Sequence, residues 1–285
     1  MAIAVETFQL ARSDTAALAA TSLLAKRVEQ TLLAALGIQV AFLIPSFAAY
    51  LIDERLLNGI SVWSKPMKFQ SSLIVLIGTL LLLVPTLRVE ALTSRLARGT
   101  ALTVAVSATL EIAYLTLQAA RGRASHFNES TQLEATLYKV MGIGAVALVV
   151  CSFIFGWMIW RQSRTEVGIG LRTGAAWGLM MSAVLTLITA SVLSSGAIDG
   201  PGHWVGGIKT DAGGLFLVGW SRTGGDLRVP HFFATHIMQA LPLLGLTLDR
   251  LRPEIARTGI WVGALLSTAI VAATFVQALS GRPFL

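Results

Sequence analysis

Charge is scarce in this chain. Asp, Glu, Lys and Arg make up 13% of its 285 residues, against about a quarter in a soluble domain. That shortage excludes an ordinary soluble enzyme surface. Cysteine is nearly absent: Cys151 stands alone, which excludes an intramolecular disulfide and leaves the redox compartment unread. Basic runs interleaved with aromatics are missing. The sequence pI near 10.2 therefore does not signal nucleic acid; Arg and Lys sit singly at the ends of apolar runs, as lipid-facing anchors do. No His-Glu-x-x-His, Gly-x-Ser-x-Gly or phosphate-loop pattern occurs. The last apolar run, 258–279, has no lysine to carry a retinal Schiff base. No inverted repeat argues for a common secondary transporter. The start is a poor signal peptide, because its first charge is Glu6 and the run 16–25 is interrupted by Thr21 and Ser22.

Apolar side chains are abundant, at 54% with a mean hydropathy of +0.71. The expected fold is all-α, a polytopic membrane protein of seven transmembrane helices. Segments near 31–52, 69–88, 100–120, 134–160, 172–195, 230–249 and 258–279 are long enough to cross about 30 Å of hydrocarbon. Residues 1–29 read as an interfacial segment, with a helix over 3–28, and residues 30–285 as one membrane domain. Pro45, Pro85 and Pro242 are expected to kink or loosen their spans. Thr131 with Glu134 reads as a capping box opening the fourth span, and Pro230 fits the first turn of the sixth. Trp157 and Trp160 mark an interface.

Seven spans would place the first, third and fifth connections on one face. The fifth, 196–229, is unusual: ten of the 26 glycines fall there, in a connection far longer than a turn between neighbouring helices requires. Trp204, Trp220 and the apolar stretch 215–218 argue that it is structured, packing as a lid against the span ends. All four histidines, His126, His203, His231 and His236, belong to that face or to the helix leaving it. The other connections, 89–99, 161–171 and 250–257, are Arg-dense, which favours a cytoplasmic N-terminus and a C-terminus outside.

Within the membrane, Glu111, Tyr114, Gln118 and Arg121 are spaced by 3, 4 and 3 and share one helical stripe. Glu111 falls about 15 Å below Arg121, where a carboxylate is expensive to ionise. Its partner is expected from Thr186, Gln239 or Gln277. His231 and His236 are about 140° apart on a regular helix, so they do not form an i, i+4 metal pair. A polar funnel from the long loop toward Glu111 is the expected site. The first functional expectation is a membrane oxidoreductase holding one haem b or transition metal ion through His126, His203, His231 or His236. His236, His231, Arg121 and Gln239 would line the cofactor, Glu111 and Gln118 would carry protons, and quinol is the expected partner. The alternative is a transporter or sensor for a small anionic or polar solute, in which Lys65, Lys68, Arg121, Arg123 and Arg228 line a positive vestibule. Asn128-Glu129-Ser130 matches a glycosylation acceptor, a common accidental pattern.

Three strings carry a resemblance. Residues 63–69 (WSKPMKF), 121–128 (RGRASHFN) and 225–239 (GDLRVPHFFATHIMQ) resemble those of a group of bacterial polytopic membrane proteins with seven spans. The resemblance covers roughly 60–245. It implies a bacterial inner-membrane protein and brings no catalytic role with it.

Overall fold

The computed structural model describes residues 2–285, with side chains from residue 23 onward. It is mostly helical. The helices are α1 (Ala2–Ile52), α2 (Ser64–Leu83), a short α3 (Val89–Leu92), α4 (Arg95–Ala120), α5 (Gln132–Gln162), α6 (Ile169–Ser195), α7 (Arg228–Leu251) and α8 (Ala256–Leu279). Six stretches are long and apolar enough to cross a membrane: Leu23–Ile52, Ser64–Thr86, Arg95–Ala120, Gln132–Gln162, Ile169–Ser195 and Pro253–Leu279. The chain is thus a polytopic membrane protein by length and composition. The expected sixth span, now α7, is long but less apolar. Arg228, His231, His236, Gln239, Asp249 and Arg250 lower its hydropathy.

The expected separate N-terminal helix is continuous with the first span. Pro45 and Pro242 sit inside unbroken helices. Pro85 instead falls in a 3-10 turn, Val84–Thr86, that ends α2, because proline cannot donate to the preceding turn.

Helix α1 packs on α2 and α4, α4 on α5, and α5 on α6; α6, α7 and α8 pack mutually. The largest core lies between α1, α2, α4, α5 and α6, with Ile77, Leu80, Ile112, Leu115, Phe155, Ile159 and Leu179 essentially sealed from solvent. The tightest contact is α6 on α7. A Cβ on Gly174 would sit 2.3 Å from the Leu241 carbonyl oxygen, and one on Gly245 would sit 2.2 Å from that of Gly170. Hydrocarbon offers no hydrophobic drive for helix pairing, so small residues that let backbones approach supply the van der Waals contact.

The helix ends gather in two sets. At one end Arg88 N–H donates to the Gln162 carbonyl at 3.0 Å and Arg164 N–H to that of Thr86 at 2.9 Å. There the Asp249 carboxylate, from the far end of α7, accepts from Gly170 N–H and Leu171 N–H at 2.7 Å each. A side chain from another helix thereby caps α6, whose own N-cap is Gly168. At the other end the 53–63 connection, the 121–131 connection and the 196–227 segment meet.

Candidate functional site

That second end is interlocked. The β1–β2 hairpin (Leu56–Leu57 with Ile60–Ser61) turns on Asn58 and Gly59, both at positive φ, as a tight two-residue hairpin requires. The Asn58 carbonyl accepts from Asp211 N–H at 2.9 Å and from Thr210 Oγ1 at 3.1 Å. Arg55 Nη1 donates to the Ala120 carbonyl at the end of α4 at 3.1 Å, and Lys68 Nζ to the Val218 carbonyl at 3.0 Å. Gly196, at φ 64, ends α6 in the left-handed conformation usual there.

Arg228, the first residue of α7, organises the 196–227 segment. Its guanidinium reaches Asp226 through Nε and Nη2, the latter at 2.7 Å, and its Nη2 also donates to the Gly219 carbonyl at 2.7 Å. Its Nη1 lies 2.9 Å from Asp211. Asp226 also accepts from Ser221 N–H and Arg228 N–H. Strand β3 (Trp204–Val205) pairs with β4 (Gly225–Asp226). Trp204 and Trp220 are buried, as expected. Trp220 stands edge-on to Phe232 at 5.4 Å and to Phe284 at 5.3 Å. The expected burial of 215–218 is corrected: Phe216 is 90% exposed and Leu217 78%. Bonds from Gly219 N–H to the Leu215 carbonyl and from Val218 N–H to that of Phe216 close a turn that turns both side chains outward.

The charges below this roof divide into paired and unpaired. Arg123 Nη2 is 2.6 Å from Glu134 Oε2, and Arg121 Nη1 is 3.7 Å from its Oε1. Gln118 Nε2 has Glu134 Oε1, Tyr114 Oη and the Ala124 carbonyl within reach of its two protons, at 3.2, 3.3 and 3.2 Å, while its Oε1 accepts from Arg121 at 2.9 Å. Only half of the expected capping box forms. Thr131 Oγ1 accepts from Glu134 N–H, but the Glu134 carboxylate is drawn to the guanidinium groups, a stronger charge-assisted contact than a backbone amide. Asn128 is buried, with Nδ2 donating to the Ala124 carbonyl and Oδ1 accepting from Ser130 N–H, so the glycosylation pattern is a structural turn.

Glu111 is 7% exposed. None of its three expected partners reaches it. Thr186 meets Thr235 at 3.2 Å, Gln239 lies between His236 and Thr79, and Gln277 donates to the Pro283 carbonyl. The charge that acts on Glu111 comes from α2: Lys65 lies in electrostatic range of Glu111, Asp211 and Arg228. Among the described residues neither Lys65 Nζ nor the Glu111 carboxylate makes a hydrogen bond. The signal for Lys65 in the sequence is its place just after Trp63, at the head of an apolar helix.

The four histidines have different hydrogen-bond partners, although His231 and His236 lie in electrostatic range of each other. His126 is held between the rings of Phe69 at 5.4 Å and Tyr138 at 5.7 Å, with Nδ1 3.1 Å from Ser125 Oγ. Burial, then the Lys65 charge, pushes it well below the ordinary imidazole range. His203 lies over Trp204 at 3.9 Å, with Nε2 3.2 Å from Asp211 Oδ1. Burial lowers its pKa despite the carboxylate. His231 faces Thr189 at 3.4 Å. His236 Nδ1 meets Gln239 Oε1 at 3.1 Å. Among the described residues no three His, Cys, Asp or Glu side chains gather where one metal ion would bind.

No family model matches the chain, and neither a curated protein nor a solved structure matches it. The cations nearest the roof are mostly committed: Arg121 and Arg123 to Glu134, Arg228 to two aspartates, and Lys68 to a carbonyl. Among the described residues Arg222 and Lys65 make no such pairing; Arg222 is exposed, whereas Lys65 stands in electrostatic range of Glu111, His126, Asp211 and Arg228.

Proposed function

We propose that this is a seven-span protein of the bacterial inner membrane that takes up or senses a small anionic or polar solute, with the Lys65 ammonium as the recognising charge. The observation that carries this reading is an ammonium without a hydrogen-bond partner, set among Glu111, His126, Asp211 and Arg228. A charge in such surroundings costs free energy unless something pairs with it, and an anionic or polar solute supplies that pair. Glu111 then serves as the internal counter-charge that the solute displaces. The span that completes the seven is α7, sixth in chain order, about 36 Å long at 1.5 Å per residue and packed against α6 and α8. The Arg-dense connections support a cytoplasmic N-terminus and a periplasmic C-terminus. The bacterial membrane rests on the resemblance of the three sequence strings.

The haem b or metal reading, with ligands from His126, His203, His231 and His236 and with Glu111 and Gln118 as proton path, has less support, because the imidazoles have different hydrogen-bond partners. Solute binding stabilises a folded state by mass action. Thermal unfolding of the purified protein against a panel of small carboxylates, phosphate and sulfate tests the proposal. A saturable rise in Tm that disappears in Lys65→Met supports it. A flat panel, or a Soret band or stoichiometric metal in the purified protein, overturns it.

A further inference from the structure

On α7 the outward stripe runs Phe232, His236, Gln239 and Leu243, with Phe232 39% and Leu243 63% exposed. On α2 it runs Lys68, Val75, Thr79 and Leu82, with Val75 42% and Leu82 81% exposed. Gln239 Nε2 donates to Thr79 Oγ1 at 3.0 Å, so the two stripes converge on one lateral groove. Helix α2 is among the six apolar spans. Thr79 lies about 16 Å down the helix from Lys68, and Gln239, bonded to it, shares that depth. Thr and Gln at such depth are ordinary interhelical contacts when paired, whereas an ionisable His236 with one nitrogen unpaired among the described residues is not.

The hydrogen bonds fix what this surface offers. Thr79 Oγ1 donates its one proton to the Val75 carbonyl at 2.7 Å. It must therefore accept from Gln239, which sets the amide with Nε2 toward Thr79 and Oε1 toward His236. Gln239 Oε1 can only accept, so His236 Nδ1 carries the proton. In a neutral imidazole the other nitrogen is then a bare acceptor. Nε2 makes no hydrogen bond among the described residues. Beside it the Phe232 ring lies 4.2 Å from the imidazole, giving an aromatic wall.

We propose that this groove binds a hydrocarbon-tailed molecule with a hydroxyl-bearing aromatic head, of the phenol or quinol type, whose O–H donates to His236 Nε2. A hydrocarbon tail suits the exposed apolar stripe of two membrane helices. A donor, not an acceptor, suits the tautomer. An uncharged head suits a depth at which the groove itself presents no cation. The site is separate from Lys65 and does not rest on the solute reading.

The test uses full-length protein in lipid nanodiscs, with 4-decylphenol and its methyl ether 4-decylanisole as probes. Binding is read from quenching or shift of tryptophan fluorescence, since Trp220 packs on Phe232. The phenol should bind saturably and the ether about tenfold more weakly, the loss of roughly one hydrogen bond. His236→Leu should make the two alike, while Lys65→Met should leave the preference intact. If His236→Leu fails to fold, Thr79→Val keeps the shape but releases the amide that fixes the tautomer, and the preference should relax. Equal binding of phenol and ether by the unaltered protein, or a preference that survives loss of the imidazole, overturns the proposal. A preference lost in Lys65→Met would also overturn it, by placing the phenol at the other site.

Discussion

Replacing Arg228 by Met should open the 196–227 segment while leaving the helical bundle assembled. The guanidinium holds Asp226, whose side chain is fully buried, and Asp211, whose side chain is 10% exposed, together with the Gly219 carbonyl. Breaking a buried ion pair from one side costs about 3–5 kcal/mol, because the remaining charge is left in a poor solvent. The lower end applies here. Asp226 keeps two backbone N–H donors and Asp211 keeps His203, and Arg228 is itself a quarter exposed. A loss of about 3 kcal/mol is about a hundredfold in the population of the open segment. Hydrogen exchange reads this directly. The amides of Leu227, bonded to the His203 carbonyl, and Leu215, bonded to that of Trp220, should exchange about a hundredfold faster, with α4 and α5 amides unchanged. Arg228→Lys should fall between, since an ammonium keeps the charge but not the fork that grips Asp226 through two nitrogens. Unchanged protection at Leu227 in Arg228→Met would refute the reasoning and leave the tryptophan packing as what holds the segment.

Asp249→Ala should cost about 2–4 kcal/mol, the loss of two charge-assisted bonds to the first turn of α6, seen as a lower Tm; an unchanged melt would mean water replaces the carboxylate. Glu111→Gln should keep the fold and raise the affinity of an anion for Lys65 about tenfold, by removing a competing negative charge at an effective dielectric near 20; unchanged affinity in the same titration would separate Glu111 from the site. Acid should loosen the second helix end. His126 and His203 are held neutral by burial, so the unfolded segment binds more protons than the folded one as pH falls below the ordinary 6.5. Asp211, held below its ordinary 3.8, adds its loss only at lower pH. Exchange corrected for intrinsic rate should therefore be faster at pH 5 than at pH 7.5, and less so in His203→Gln. Equal protection at both pH values would contradict the assignment of neutral, buried imidazoles.

Apolar runs of some twenty residues specify membrane helices by themselves, because hydrocarbon leaves a backbone few other ways to satisfy its hydrogen bonds. Sequence alone thus determined the helical class, six of the spans, the grouping of the odd-numbered connections and the buried Trp204 and Trp220. The stripe Tyr114, Gln118 and Arg121 was legible for the same local reason, since spacing on a helix fixes the face. What remained hidden depends on partners distant in the chain. Asp249 caps a helix 78 residues earlier, and no local pattern announces a cap supplied by another helix. Glu134 has the spacing of a capping box, yet its carboxylate turns to Arg123. Glu111 was legible as a buried acid, but its neighbouring charge, Lys65, lies on a helix reached only through the tertiary fold. The histidines shared a face in the sequence reading. Packing gave each a different hydrogen-bond partner, because one face of a bundle is wide enough to hold several groups of side chains.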